Sequence, residues 1–352
     1  MSNDIKNINS PPPYAPLGSY RFVLSLMVFV AHTNEIMNYK QLFFNAGTLG
    51  VVLFFSISGY VVSSALAHFY QNRTTQFLSN RGLKIFPIFW FCYVLSTVYL
   101  LAGPTTLQGL TPNISVDGLT LKGAFLAATI VGSIMDPAAF RPLTPAWTLA
   151  VELNFYVVAA LFVVIAKNWR GRHQWLLGGL GATLAYGLIL VVPNGENRFF
   201  GALQFTPFFA LGVCVYFGQL PQYRLAARTW GGLAMIASLY QIWRLGADTP
   251  QAINLATALF FTVMVGVFLW CITLELKPKA IKVDKLLGDL TYPFYLCHVP
   301  VLAVLMNGWT QTGILIWVMT LVVCLLAAAA IHQIVEGPLV RIRTKVRGSG
   351  LG

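Results

Sequence analysis

The sequence 20-YRFVLSLMVFVAHTNE-35 decides the fold class, because it is a long apolar run that carries two ionisable side chains, Arg21 and His32. Eleven residues are close to three turns of an α-helix, so the two side chains share one face, about 16 Å apart along the axis. Charged and polar groups are costly inside hydrocarbon. An ionisable residue within a membrane span therefore indicates a functional site.

The composition agrees with a membrane environment for the whole chain. Of its 352 residues, 57% are hydrophobic and 10% are charged, and the mean hydropathy is +0.69. Soluble domains carry about 25% charged residues. Apolar runs of roughly 20 residues recur along the chain, the length that crosses a bilayer as a helix. The sequence predicts an all-α polytopic membrane protein.

The apolar runs predict about ten transmembrane helices. We place them at 19–38, 46–68, 83–102, 146–166, 174–192, 199–217, 229–246, 252–273, 290–309 and 313–335. Between the third and the fourth, residues 119–135 are apolar but are interrupted by Lys122, Gly123 and Gly132. We interpret this segment as a re-entrant or interfacial helix.

The distribution of positive charge predicts the topology. With the N-terminus inside, only five of the 23 basic residues fall outside, Lys40, Lys122, Arg141, Arg198 and Arg244. Cytoplasmic loops are enriched in Lys and Arg, so both termini are expected in the cytoplasm. The basic residues that give the net charge of +12 lie at the ends of apolar runs, a distribution that indicates no nucleic-acid partner.

The chain divides into a flexible cytoplasmic lead at 1–16, one transmembrane domain at 17–338 and a basic cytoplasmic tail at 339–352. The tail suits anionic lipid headgroups. The five cysteines all lie in apolar runs without close pairing: Cys92, Cys214, Cys271, Cys297 and Cys324. We expect small buried side chains there, with no disulfide and no metal site.

His32 and Glu152 are candidates for acid–base chemistry. Counted from the helix starts, His32 lies about 20 Å from the cytoplasmic side and Glu152 about 9 Å below the outer surface, at nearly the same depth. A carboxylate beside an imidazole fixes its tautomer and raises its basicity, which predicts Glu152 as the orienting partner. Alternatively, His32 is a hydrogen-bonded core histidine and Glu152 a structural ion-pair partner.

Three further segments carry polar groups. Small residues at Gly47, Gly50 and Gly59 permit close helix approach, and Ser58 beside them donates either to substrate or to its own helix. Arg81 and Lys84 share one face at the start of the third helix, where cations suit phosphates or serve as topology anchors. In the ninth helix, Tyr295 and the second intramembrane histidine, His298, also share one face.

Together these segments resemble the membrane-bound acyltransferase family 3. The matching stretches, in the family's order, are Arg21 with His32; Phe54-Phe55-Ser56-Ile57-Ser58-Gly59; Arg81, Lys84, Pro87 and Trp90; Trp147-Thr148-Leu149-Ala150-Val151-Glu152; Thr291 to His298; and Glu336-Gly337-Pro338. Lys84 departs from the family's usual arginine. Asn154 departs from a segment that often carries a second polar or acidic residue.

The resemblance implies transfer of an acetyl group from acetyl-CoA to a carbohydrate hydroxyl, in the cytoplasmic membrane of a bacterium. It implies His32 as general base or acyl shuttle, with Glu152 beside it, and Arg21, Arg81 and Lys84 as ligands of the CoA phosphates. The expected substrate-binding residues are Ser58, Trp147, Tyr156, Tyr292, Tyr295 and His298. Trp147, Tyr156 and Tyr295 are expected to line the sugar path. No metal is implied.

Two alternatives remain from the sequence. Intramembrane His and Glu can form the proton relay of a secondary transporter, although the two related halves of many transporters are not detectable here. The enzyme could also use succinyl or another acyl group, or act on a non-sugar acceptor.

Overall fold

The computed structural model of the chain describes residues 15–34, 45–71, 73–102, 120–130, 142–165, 202–246, 249–308 and 313–348. These residues form helices and connecting turns. The helices are α1 Gly18–His32, α2 Ala46–His68, α3 Thr74–Leu101, α4 Leu121–Ala128, α5 Ala146–Ile165, α6 Thr206–Gly218, α7 Arg224–Leu245, α8 Gln251–Cys271, α9 Pro278–Gly308, α10 Ile314–Ile331 and α11 Gly337–Arg347. A π-helical turn, His332–Glu336, joins α10 to α11.

Five of the described helical stretches are long and apolar enough to cross a membrane: Ala46–His68, Thr74–Leu101, Ala146–Val164, Gln251–Cys271 and Ile314–Arg347. α1 and α6 are shorter apolar helices. The chain is therefore an α-helical, multi-pass membrane protein. The count of ten spans and the placement of both termini stay predictions, and the fifth predicted span, 174–192, lies outside the described residues together with residues 1–14 of the lead.

Helix α4 has eight residues, about 12 Å, which is too short to cross a hydrocarbon core of about 30 Å. It occupies the segment that we interpreted as re-entrant or interfacial. Its N-terminus is capped by the Thr120 side chain, which accepts from the Gly123 N–H at 2.9 Å.

Two helices begin much earlier than predicted, by nine residues for α3 and twelve for α9. α3 begins at Thr74 instead of residue 83, and α9 begins at Pro278 instead of residue 290. Helical hydrogen bonding does not stop where the apolar run stops, so a polar turn can extend a spanning helix beyond the bilayer. The apolar pattern alone marks only the part of each helix that lies in hydrocarbon.

α1 packs between α2 and α9, and α2 packs along α6. The small residues of α2 allow this, as predicted. A Cβ added to Gly50 would lie 2.8 Å from the carbonyl oxygen of Leu24, and one added to Gly47 would lie 2.9 Å from the Cβ of Ala31. These contacts also show that α1 and α2 are antiparallel. We call the end of the bundle where α1 begins and α2 ends the basic end.

Candidate active site

A cavity of about 120 Å³ lies near the basic end, between α1, α2, α3, α5 and α9. Its wall brings together most of the side chains that the sequence predicts to act on donor or acceptor: Arg21, Ser58, Arg81, Lys84, Glu152, Tyr156, Tyr292 and Tyr295. A cavity of this order holds one small organic molecule. A large ligand must therefore keep most of its bulk outside.

The cations reach this cavity from two helices. Arg21 donates from Nε to the Leu17 carbonyl at 3.2 Å, and its Nη2 would lie 3.3 Å from a Cβ added to Gly288 of α9. Glycine at 288 thus leaves room for the guanidinium. On α3, the guanidinium of Arg81 lies 5.3 Å from the ring of Tyr156, within range of a cation–π interaction. α1 and α3 therefore present positive charge to one space.

The start of α1 is fixed by a buried carboxylate that the sequence analysis does not single out. Asp284 of α9 accepts from the N–H groups of Gly18 and Ser19, at 3.0 and 2.7 Å. The unpaired N–H groups of a helix N-terminus favour an anion, so this contact is stabilising. It fixes α1 against α9 one turn before Arg21.

Glu152 is hydrogen-bonded inside the cavity, and its partners differ from the one predicted. Its Oε1 accepts from the hydroxyl groups of Ser58 and Tyr156. Among the described residues, it makes no hydrogen bond to His32. The expectation that Glu152 orients His32 is therefore wrong for this structure. Ser58, for which we left two roles open, uses its hydroxyl across helices.

His32 and Glu152 do not pair because they lie at different levels along the bundle. His32 follows Ala31, which lies opposite Gly47 near the start of α2. Ser58 lies eleven residues further along α2, about 17 Å closer to the basic end, and Glu152 is at its level. The estimate from sequence assumed that α5 begins at the outer surface of the bilayer. The contact between Thr148 and Tyr295 places the first turn of α5 beside Tyr295, one turn from His298 toward the basic end.

A second histidine takes the place expected for the carboxylate. The Nδ1 of His32 lies 3.0 Å from the Nε2 of His298, which is fully buried on α9. The Nδ1 of His298 lies 3.3 Å from the Phe294 carbonyl, which can only accept, so this nitrogen carries the proton. The Nε2 of His298 then accepts from His32, which leaves the lone pair of His32 on its own Nε2.

Tyr295 lies between the cavity and this histidine pair. Its ring is 6.1 Å from that of His298 and 6.0 Å from that of Phe54. Its hydroxyl is 2.9 Å from the hydroxyl of Thr148, which donates to the Pro145 carbonyl, so Tyr295 is the donor in this pair. Tyr295 lines the cavity, whereas neither histidine does. The structure thus has two polar centres, the cavity and the His32–His298 pair, and the ring of Tyr295 lies between them.

The remaining predicted residues have distinct environments. The Tyr292 hydroxyl donates to the Ile85 carbonyl at 2.8 Å, which ties α9 to α3 beside the cavity. Trp147 is 37% exposed, its ring lies 5.4 Å from that of Phe205, and it does not line the cavity.

Sequence reasoning passed over Thr148, Asp284 and Gly288. Thr148 stands one turn before Glu152, a spacing that places both on one face of α5 and could have indicated its role. Asp284 and Gly288 lie four residues apart in a stretch that reads as a polar connection. Nothing local marks them as part of a helix that contacts α1.

The sequence of this chain also matches a known family and several known proteins. Residues 19–333 match the family model described as an acyltransferase domain. Acyltransferase MdmB of Streptomyces mycarofaciens is 24% identical over 84% of this chain and 81% of its own length. The exopolysaccharide production protein ExoZ of Rhizobium meliloti (strain 1021) is 27% identical over 77% of this chain and 81% of its own.

The O-acetyltransferase OatA of Staphylococcus aureus is 22% identical over 93% of this chain, which spans 57% of that relative. No solved structure matches the chain.

Proposed function

Because the chain belongs to the acyltransferase-domain family, we propose that it moves an acetyl group from acetyl-CoA to a hydroxyl of a cell-envelope carbohydrate. The names of two relatives support the acyl group and the acceptor class, since one is an O-acetyltransferase and the other takes part in exopolysaccharide production. The acceptor is a lipid-linked or nascent glycan at the cytoplasmic membrane of a bacterium.

The cavity supports a donor that enters from the basic end. Arg21, Arg81 and Lys84 line it there, and cations of this kind bind phosphates through charge-assisted hydrogen bonds. The small volume suits the narrow pantetheine arm, with the nucleotide outside. Arg21 and His32 are about 16 Å apart along α1. An extended arm that starts near Arg21 would direct its thioester along α1 toward His32.

His32 supplies the base in this mechanism. Its Nε2 takes the proton of the acceptor hydroxyl while that oxygen attacks the thioester carbonyl carbon. The C–S bond then breaks, the thiolate leaves and the imidazolium returns the proton to it. In a two-step variant, Nε2 attacks the thioester carbonyl carbon and the C–S bond breaks to release the CoA thiolate; the acceptor hydroxyl then attacks the acetyl group on Nε2, and its proton goes to the thiolate. In both, His298 holds the Nδ1–H of His32 and directs the reactive lone pair.

The cavity residues take roles on the donor side. Glu152, with the Ser58 and Tyr156 hydroxyls, presents a polar wall to the amide groups of the pantetheine arm. Tyr295 stands between this space and His32, so the acyl end passes its ring. Trp147, exposed and outside the cavity, keeps the role of sugar contact.

The observation that carries the proposal is the cavity lined by Arg21, Arg81 and Lys84 beneath the His32–His298 pair. The test is mass spectrometry of envelope glycans from cells with and without the gene, together with CoA release by the purified protein. We expect one acetyl per modified unit and acceptor-dependent release of CoA. Glycans unchanged by deletion, or full activity in His32→Ala, contradict it. Acetyl retained on the protein after acetyl-CoA alone identifies the two-step variant.

A further inference from the structure

Four arginines gather around one buried tyrosine at the basic end. Tyr70 lies between α2 and α3 and is 5% exposed. Burial raises the pKa of its hydroxyl, and nearby guanidinium groups act in the opposite direction. Those groups belong to Arg73, Arg81, Arg343 and Arg347. Two come from the start of α3 and its connection to α2, and two come from α11.

Specific contacts hold this arginine cluster together. Arg73 donates from Nη1 and Nη2 to the carbonyl oxygens of Arg347 and Val346, at 3.2 and 3.1 Å. The guanidinium of Arg347 lies 3.9 Å from the ring of Phe69. α11 is thereby fastened to the α2–α3 connection by its last turn, which keeps the positive groups close in spite of their mutual repulsion.

In the part of the chain that the structure describes, Glu336 pairs with one arginine of this cluster, Arg343. Buried Glu336 accepts from Nη1 of Arg343 at 2.8 Å and also pairs with His332 at 3.1 Å. Neither of these ion pairs involves Arg73 or Arg347. The Nε of Arg343 is buried and has no partner among the described residues. A cluster with this excess of guanidinium groups is arranged for an external anion.

The arginine cluster continues into the cavity through shared side chains. Arg81 lines the cavity and lies 5.4 Å from the ring of Phe77. The ring of Phe77 is in turn 5.6 Å from that of Tyr70. An elongated ligand whose narrow end occupies the cavity can therefore reach the cluster with its opposite end.

We propose that Arg73, Arg343 and Arg347 form a second phosphate site, which takes the 3′-phosphate of the CoA donor. The inference rests on the proposed function. CoA carries a diphosphate in its middle and a phosphate monoester on its ribose, at the end away from the thioester. Arg21, Arg81 and Lys84 are nearer to the cavity and suit the diphosphate. The other three arginines of the cluster, Arg73, Arg343 and Arg347, lie beyond Arg81 and suit the terminal dianion, since guanidinium forks bind phosphate oxygens in pairs.

The test compares CoA with 3′-dephospho-CoA. The full chain is placed in phosphatidylcholine nanodiscs, and the Kd of each ligand is measured by calorimetry for wild type and for Arg347→Gln. We expect wild type to bind CoA about tenfold more tightly, the effect of one charge-assisted contact worth about 1.4 kcal/mol. In Arg347→Gln this preference disappears, because the variant binds CoA more weakly and binds 3′-dephospho-CoA as wild type does.

Arg341→Gln is the matched control, because Arg341 is also exposed on α11 but does not act on Tyr70. It should bind both ligands as wild type does. Arg347→Lys retains the charge and should keep most of the preference, even if the glutamine variant fails to fold. Equal binding of the two ligands by wild type overturns the inference and leaves the proposed function standing. Absence of any CoA binding contradicts both.

A third outcome names another source of phosphate. If wild type binds CoA and 3′-dephospho-CoA equally in phosphatidylcholine nanodiscs but binds phosphatidylglycerol, and Arg347→Gln loses that lipid binding, the cluster binds anionic headgroups. The nucleotide assignment is then wrong.

Discussion

Loss of the His298 imidazole should disable His32 without touching either substrate. In the structure, His32 donates from Nδ1 to the Nε2 of His298 at 3.0 Å, in a partly buried setting. His298→Ala leaves that N–H without its acceptor, which costs about 1–3 kcal/mol. The imidazole can avoid the cost by moving its proton to Nε2, which removes the reactive lone pair. Either way kcat should fall roughly 5–150-fold, at tenfold per 1.4 kcal/mol.

Two further substitutions distinguish the effect of losing the hydrogen bond from the effect of losing the volume of the His298 side chain. His298→Gln offers an amide oxygen to the Nδ1–H of His32 and should stay within about tenfold of wild type. His298→Phe fills the space without an acceptor and should resemble alanine. His68→Gln is the matched control, since His68 pairs with Tyr216 at the basic end and not with His32. The assay is acceptor-dependent CoA release at saturating donor, with KM for acetyl-CoA measured alongside.

The reasoning is refuted if His298→Gln is as impaired as His298→Phe, because an acceptor then makes no difference. A large rise in KM at constant kcat would instead give His298 the role of substrate contact, as the sequence analysis first suggested. The double variant that combines His32→Ala with His298→Ala is decisive. If His298 acts only through His32, removing it from that background changes nothing further.

Three other results are expected. His32→Ala should lower kcat by about 10²–10⁴-fold with little change in donor affinity, as measured by CoA release and CoA binding. Glu152→Gln keeps an oxygen for the Ser58 and Tyr156 hydroxyls, so its KM for acetyl-CoA should rise less than that of Glu152→Ala; equal values would contradict the hydrogen-bonding role. Gly50→Ala should lower thermal stability by about 1–3 kcal/mol, because its Cβ meets the Leu24 carbonyl at 2.8 Å, whereas Gly232→Ala, with nothing within 4 Å, should not.

The general outline of the fold and much of the cavity follow from the sequence. Apolar runs locate α2 and α5 to within a residue at their starts, since burial in hydrocarbon requires such runs. Motifs spread from residue 21 to residue 295 converge on one cavity. The convergence is predictable because polar groups inside an apolar bundle have to face each other.

Pairings within the site could not be predicted in the same way. Glu152 and His32 were matched by depth, and depth counted along a helix depends on where that helix enters the bilayer. The contact between Thr148 and Tyr295 places the start of α5 nearer to the basic end than the count assumes, and Glu152 meets Ser58 instead. The arginine cluster escapes prediction for another reason. Arg73 and Arg347 are 274 positions apart, and only the packing of α11 on α3 brings them together.

In the proposed mechanism, Tyr295 separates two polar centres that have different chemical tasks. Donor binding needs cations that water and phosphate can reach, and the basic end provides them. General base chemistry needs an imidazole with one defined lone pair, and the buried His298 provides that. If both lay in one open space, water would compete with the acceptor hydroxyl for the thioester. Under the proposed mechanism, the acyl end passes the tyrosine ring while the charged end of the donor stays bound, so we expect Tyr295→Ala to raise CoA release without acceptor. Unchanged acceptor-independent release in that variant would show that the ring does not separate the centres.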